Sequence, residues 1–121
     1  MAAPRPARIV EAVRDARDIV DRLRALAADA EQAEQRASDL SDIEDVLATG
    51  YAGALSGEAR MLRLERELDE LIDTAADGRG RDVRQLVGER RALERSIAQL
   101  RAALARLHAH FVALGGAVPR S

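Results

Sequence analysis

Hydrophobic residues recur along the last third of the chain at alternating steps of three and four. This spacing places them on one stripe of an α-helix, as in the contact seam of a coiled coil. Arg90 is the one charged member of the series, which is Val83, Leu86, Arg90, Leu93, Ile97, Leu100, Leu104, Leu107, Phe111 and Leu114. The pattern predicts helix 3 at about 81–114, closed by Gly115 and Gly116, with 115–121 as a flexible tail.

The same spacing defines a seam on a preceding helix 2, formed by Ile43, Leu47, Gly50, Ala54, Gly57, Met61, Leu64, Leu68, Leu71 and Ala75. It runs through residues 49–57, TGYAGALSG, which contain three glycines and no charge. Three glycines inside a helix cost about 3 kcal/mol relative to alanine, so this stretch alone would indicate a loop. Because Gly50, Ala54 and Gly57 occupy seam positions, we instead predict a helix face for close packing, with a kink near 50–53.

A turn separates the two helices. The sequence DGRGRD at 77–82 is a turn signal with two glycines, and we place the turn at 77–80. Ser41 and Glu44 have the spacing of a capping box, which gives helix 2 bounds of about 42–76. Folding about a centre between residues 78 and 79 gives an antiparallel coiled-coil hairpin in which facing seam residues have numbers that sum to 157 or 158. Small residues then meet large ones: Gly50 meets Leu107, Ala54 meets Leu104 and Gly57 meets Leu100.

Helix 1, expected at about 6–37, carries a third seam formed by Ile9, Val13, Ala16, Val20, Leu23, Ala27 and Ala30. A short link returns it antiparallel to helix 2. The hairpin has a second apolar stripe on its half away from the turn, formed by Ala48, Ala52, Leu55, Ala59 and Leu62 with Ala98, Ala102, Ala105, Ala109 and Val112. We predict that helix 1 packs on this half and covers the stripe. The predicted fold is all-α, a single domain of three long helices.

The chain of 121 residues supports only a modest core, so we expect it to be elongated or to complete its core by self-association. Helix 1 also carries Val10, Ile19 and Leu26 beside its seam. This width indicates a second buried contact, either across a homodimer interface or in packing on the hairpin.

Composition narrows the range of partners. Cysteine, tryptophan and lysine are absent, and the net charge is −2. No uncharged run reaches the roughly 20 residues of a membrane span, so we expect a cytoplasmic protein without membrane contact. Residues 28–77 carry a net charge of −10 and residues 78–121 one of +6. Since the basic helix 3 would lie against this acidic neighbour, and two aromatics offer no stacking platform, we expect no nucleic-acid binding.

Arg90 is the unusual residue on the seams. In the predicted register it is surrounded by four acids, Glu65, Glu67, Glu89 and Glu94, which would repel one another without a positive charge between them. One interpretation is a buried or half-buried charge cluster that fixes the register of the hairpin at some cost in stability. The other is a charged pocket with perturbed carboxylates.

Candidate chemistry elsewhere is sparse. His108 and His110 are two residues apart and project roughly 200° apart on a helix, so they cannot bind one metal ion together. We predict no metal, no cofactor and no catalytic residue. Arg79, Arg81 and Arg84 near the turn form a candidate anion site, and a solvated turn is the alternative.

Residues 87–104, VGERRALERSIAQLRAAL, resemble a helix of the all-helical chorismate mutases. The resemblance implies a helical enzyme that holds a dicarboxylate with arginines. It covers under a fifth of the chain, and the lysine that such sites employ is absent.

The sequence therefore favours a non-enzymatic protein–protein interaction module, an adaptor or regulator that forms a homodimer or docks on another protein. The alternative is a small-anion or nucleotide sensor that uses arginines of the hairpin. A helical enzyme is the third hypothesis.

Overall fold

The described residues form three long α-helices, since the chain is rich in strong helix formers and its prolines lie only at positions 4, 6 and 119. A computed structural model of the chain describes residues 7–36, 38–73 and 80–116. The helices are α1 (Ala7–Gln35), α2 (Leu40–Asp73) and α3 (Gly80–Ala113). The predicted all-α class is confirmed, and the described ranges contain no strand. Most of the predicted turn, residues 77–79, lies outside them.

Each helix packs against the other two, and the three seams form one shared core. Leu23, Leu64 and Leu93 are among its fully buried side chains. Contacts between helices show their directions. Arg17 pairs with Glu89 at 3.1 Å and Arg106 with Glu31 at 3.6 Å, so the numbers rise together along α1 and α3. Arg60 pairs with Asp15 at 3.3 Å and Leu26 lies at Gly53, so the numbers of α2 fall as those of α1 rise. Helix α1 therefore runs antiparallel to α2 and parallel to α3.

Helices α2 and α3 pack antiparallel, in a register about one helical turn from the predicted one. The α3 side chains nearest to the three glycines of α2 belong to Leu104 at Gly50, Leu100 at Gly53 and Ile97 at Gly57. These numbers sum to 153 or 154, and the helix ends at residues 73 and 80 also sum to 153. The predicted sums of 157 and 158 therefore do not hold at the glycines, although the ion pairs of Glu65 with Arg90 and of Glu58 with Arg101 sum to 155 and 159. A shift of one turn keeps every seam residue on the seam, so the hydrophobic pattern could not distinguish the two registers.

Helix α2 is continuous from Leu40 and passes through all three glycines, so the predicted helix rather than a loop at 49–57 is confirmed. Its first residue is set by Asp39, whose Oδ1 accepts a hydrogen bond from the backbone N–H of Asp42 at 2.8 Å. This bond satisfies one of the free N–H groups of the first turn. The predicted capping box at Ser41 and Glu44 is wrong, because the cap lies two residues earlier.

Helix α3 ends in a Schellman motif. The backbone N–H of Gly116 donates to the carbonyl of Phe111 at 2.9 Å, and that of Gly115 donates to the carbonyl of Val112 at 3.0 Å. Gly115 has φ of +91°, a left-handed conformation that favours glycine. The predicted glycine stop is confirmed, and these two glycines belong to the helix end rather than to the tail. Residues 117–121 lie outside the described ranges.

Helix α1 lies on the glycine side of the hairpin. The side chain of Leu26 fills the space that a Cβ on Gly53 would need, and Leu23 and Ile97 crowd the same position at Gly57. Two glycines of α2 thus allow α1 to approach closely. Since α1 also borders Gln85 of α3, it extends beyond the half of the hairpin to which we had assigned it.

Candidate functional site

The second apolar stripe of the hairpin, predicted to lie under α1, is open to solvent. Leu55 and Leu62 are 65% and 55% exposed. We call the whole set the outer stripe, and all ten residues are exposed: Ala48, Ala52, Leu55, Ala59, Leu62, Ala98, Ala102, Ala105, Ala109 and Val112. The prediction that α1 covers them is wrong. Positions 53 and 55 project roughly 200° apart on a helix, so α1 cannot pack on Gly53 and also reach Leu55.

The two halves of the outer stripe lie on one face of the hairpin. Glu58 of α2 and Arg101 of α3 form an ion pair across the hairpin. Each of them directly precedes a stripe residue, Ala59 and Ala102, so the two halves lie side by side on the same face. The stripe covers residues 48–62 on α2 and 98–112 on α3, a length of about 21 Å on each helix at 1.5 Å per residue.

Charge is absent from most of the α2 part of this face, up to Glu58. Residues 46–57 of α2 contain no charged side chain in a chain that is 33% charged. Tyr51 borders the stripe and is 41% exposed. An exposed apolar face with a charged surround is typical of an interaction surface in a protein of this size.

The predicted buried charge cluster is divided among the helix interfaces. Arg90 donates to Glu65 from Nε at 3.2 Å and from Nη2 at 3.1 Å, and its Nη1 lies 3.5 Å from Glu94. The Arg90 and Glu65 side chains are 35% and 39% exposed, so the pair is half-buried. Glu89 instead pairs with an arginine of α1, and Glu67 lines a groove between α1 and α2. Two of the four predicted acids thus pair with Arg90 in a half-buried position, whereas Glu89 and Glu67 lie toward α1, which packs beside the hairpin.

The remaining predicted positions are dispersed. Arg79 lies outside the described residues, and Arg81 and Arg84 are exposed on the first turns of α3. His108 and His110 are both partly buried. Within the described ranges, no group of three or more histidine, aspartate or glutamate side chains is arranged to hold a metal ion. The same part of the chain contains no helix with the length and apolar character needed to cross a bilayer.

Helix α1 carries three apolar residues beside its seam, and packing inside the protein accounts for two of them. Ile19 and Leu26 are partly buried against the core. Val10 is 44% exposed and lines a shallow depression with Arg17 and Gln85. Helix α1 therefore offers a smaller apolar surface than the outer stripe does.

Comparisons of the chain with known protein families, with curated proteins and with solved structures give no match. The exposed surface is therefore the feature of the molecule that bears on function. The spacing of apolar residues in the sequence identified the outer stripe, but it did not predict that the stripe is exposed to solvent. Gly53 is the residue from which this exposure could have been predicted. It lies on the other flank of the α2 seam, and its lack of a side chain lets α1 pack closely there.

Proposed function

We propose that the protein is a non-enzymatic helical interaction module that self-associates through the outer stripe. The observation that carries this proposal is the exposure of Leu55 and Leu62 within an alanine-rich face. The chain is long enough for only a modest core, and this face is apolar surface that the monomer leaves in water.

The two leucines supply the main driving force for association. Complete burial of a leucine side chain is worth about 1.5–3 kcal/mol. Burial of the exposed 65% of Leu55 and 55% of Leu62 in both copies of a dimer therefore contributes about 5 kcal/mol in total. Two such surfaces must also overcome the loss of translational and rotational freedom, so the surrounding contacts have to contribute as well.

Alanine is suited to this surrounding role. Helices that contact each other through small side chains approach to the lower end of the range of about 8–10 Å between axes. Close approach brings more backbone and Cβ atoms into van der Waals contact. The four exposed alanines and Val112 of α3 and the three alanines of α2 thus provide a flat surface on which the leucines can pack.

Substitution of Leu55 by glutamate tests the proposal. The change removes about 1.3 kcal/mol of apolar burial from each copy, so the dimer loses about 2.6 kcal/mol and its dissociation constant rises about 100-fold. The mass in solution, measured by sedimentation equilibrium over a range of concentrations, should shift from dimer to monomer.

Ile72→Glu is the matched control, since Ile72 is 57% exposed on the same helix and lies outside the outer stripe. It should leave the mass unchanged. A wild-type protein that stays monomeric at high concentration would refute the proposal. Equal dissociation by both variants would show that the surface has been assigned to the wrong part of α2.

A further inference from the structure

Helices α2 and α3 both border the outer stripe, and they carry opposite charge. Helix α2 contains nine acidic residues and three arginines, a net charge of −6. Helix α3 contains seven arginines and three acidic residues, a net charge of +4. Two copies that stack on this face are therefore attracted when α2 meets the partner's α3, and they are repelled when like helices meet.

We propose that two copies pack face to face about a two-fold axis parallel to their helices. This geometry rests on the self-association proposed above and specifies it. Rotation about such an axis leaves each residue at its own height along the bundle and places α2 over the partner's α3, antiparallel to it. Facing residues then have numbers that sum to about 153, as they do between α2 and α3 within each monomer.

The apolar parts of the two copies overlap in this arrangement along residues 48–55 of α2 and 98–105 of the partner's α3, whereas Leu62 faces the partner's Arg91. Three facing pairs lie in the apolar region: Leu55 with the partner's Ala98, Ala52 with the partner's Ala102, and Ala48 with the partner's Ala105. A large side chain meets a small one at the first pair, and small residues at the other two let the helices approach closely.

The charged end of the hairpin is complementary in the same arrangement. Asp69 faces the partner's Arg84, and Asp73 faces the partner's Arg81. All of these side chains are exposed in the monomer. Each such pair is solvated at the rim of the interface, so it favours the correct orientation more than it adds to affinity.

The other face-to-face arrangement has its two-fold axis across the helices. It places α2 on the partner's α2 and α3 on the partner's α3, so helices of like charge meet. Reversal about the height of Leu55 also sets Ala105 against the partner's Arg91, because the α3 part of the stripe lies farther from the turn than the α2 part. This arrangement pairs the α2 part of the stripe with itself, but it loses apolar overlap on α3 and charge complementarity along both helices.

Disulfide cross-linking distinguishes the two arrangements, and the chain contains no cysteine to interfere. Ala52→Cys and Ala102→Cys are prepared separately, mixed in equal amounts as reduced proteins, and then oxidised. A disulfide requires a Cα separation of about 4.4–6.8 Å, which facing residues of closely packed helices satisfy. The mixture should form covalent dimer several-fold faster than either variant alone. Ala25→Cys, exposed on α1, is the control and should cross-link slowly in every mixture.

The outcomes separate this geometry from self-association itself. Rapid cross-linking of Ala52→Cys with itself or with Ala59→Cys, but not with Ala102→Cys, would establish α2 on α2 and overturn the geometry while the dimer stands. A dimeric mass with no cross-linking at any of these positions would also overturn it. A monomeric mass for the wild type would refute self-association and the geometry together.

Discussion

The three glycines of α2 are predicted to be structural, and Gly50→Ala tests this most directly. A Cβ at position 50 would overlap one methyl group of Leu104 and lie 3.2 Å from its other methyl and 3.3 Å from its Cγ. Leu104 is fully buried, and three atoms of its side chain lie close to the position of the added Cβ. Rotation of one methyl group therefore cannot relieve the overlap. Overpacking of this kind costs about 1–3 kcal/mol.

Helix propensity acts in the opposite direction. Replacing a glycine by alanine inside a helix stabilises it by about 1 kcal/mol, because alanine loses less backbone entropy. The net effect of Gly50→Ala is therefore a destabilisation of about 1 kcal/mol.

Gly88 provides a matched control in the interior of α3. It is exposed, and a Cβ there would meet no heavy atom within 4 Å. Gly88→Ala should therefore benefit fully from the higher helix propensity of alanine and stabilise the protein by about 1 kcal/mol. The free energies of unfolding of the two variants should differ by about 2 kcal/mol.

Urea denaturation followed by far-UV circular dichroism measures this difference. All samples are compared at one protein concentration, because self-association would raise the apparent stability with concentration. A Gly50→Ala variant as stable as Gly88→Ala would refute the close packing of Leu104 on α2. Gly53→Ala is expected between the two, since its one close neighbour is a terminal methyl of the half-buried Leu26.

Other substitutions test the ends of helices and the buried serine by the same denaturation assay. Asp39→Ala removes the cap of α2 and should lower the free energy of unfolding by about 1 kcal/mol. Ser41→Ala should change it by less than about 0.5 kcal/mol, and equal effects of the two variants would contradict the assigned cap. Ser96→Ala should be neutral or stabilising by up to about 0.5 kcal/mol, because the buried hydroxyl bonds a carbonyl four residues earlier that the helix ladder already uses. Gly115→Ala should cost about 1 kcal/mol, since φ is +91°, and Gly115→Asn should cost less; no loss with alanine would show that the Schellman turn is unimportant.

The helices themselves were predictable because hydrophobic spacing and proline position are local properties. Each predicted helix end lies within three residues of the observed one. The cap of α2 was misplaced because Asp39 and Ser41 are both good N-cap residues, and the spacing of Ser41 to Glu44 favoured the second. Only the geometry of the Asp39 side chain decides between them.

The position of α1 could not be predicted from periodicity, because the α2 seam has small residues on both flanks. One flank has Gly53, and the other has Ala52 and Ala59. A glycine lets a neighbouring leucine approach the backbone more closely than an alanine does, so the Gly53 flank buries Leu26 of α1. The same choice divided the predicted charge cluster, since α1 then lies near Glu67 and Glu89.

This division of α2 into two faces has a consequence that separates folding from assembly. The glycine face packs against α1 and α3 inside the monomer, whereas the face with Leu55 and Leu62 is exposed. Gly50→Ala should therefore lower the free energy of unfolding and leave the mass of the folded protein unchanged. Leu55→Glu should lower the mass and leave the stability of the monomer within about 0.5 kcal/mol of the wild type, as expected for an exposed site. If either variant changed both properties to the same degree, the two faces of α2 would not be independent, and the outer stripe would be part of the fold rather than an interaction surface.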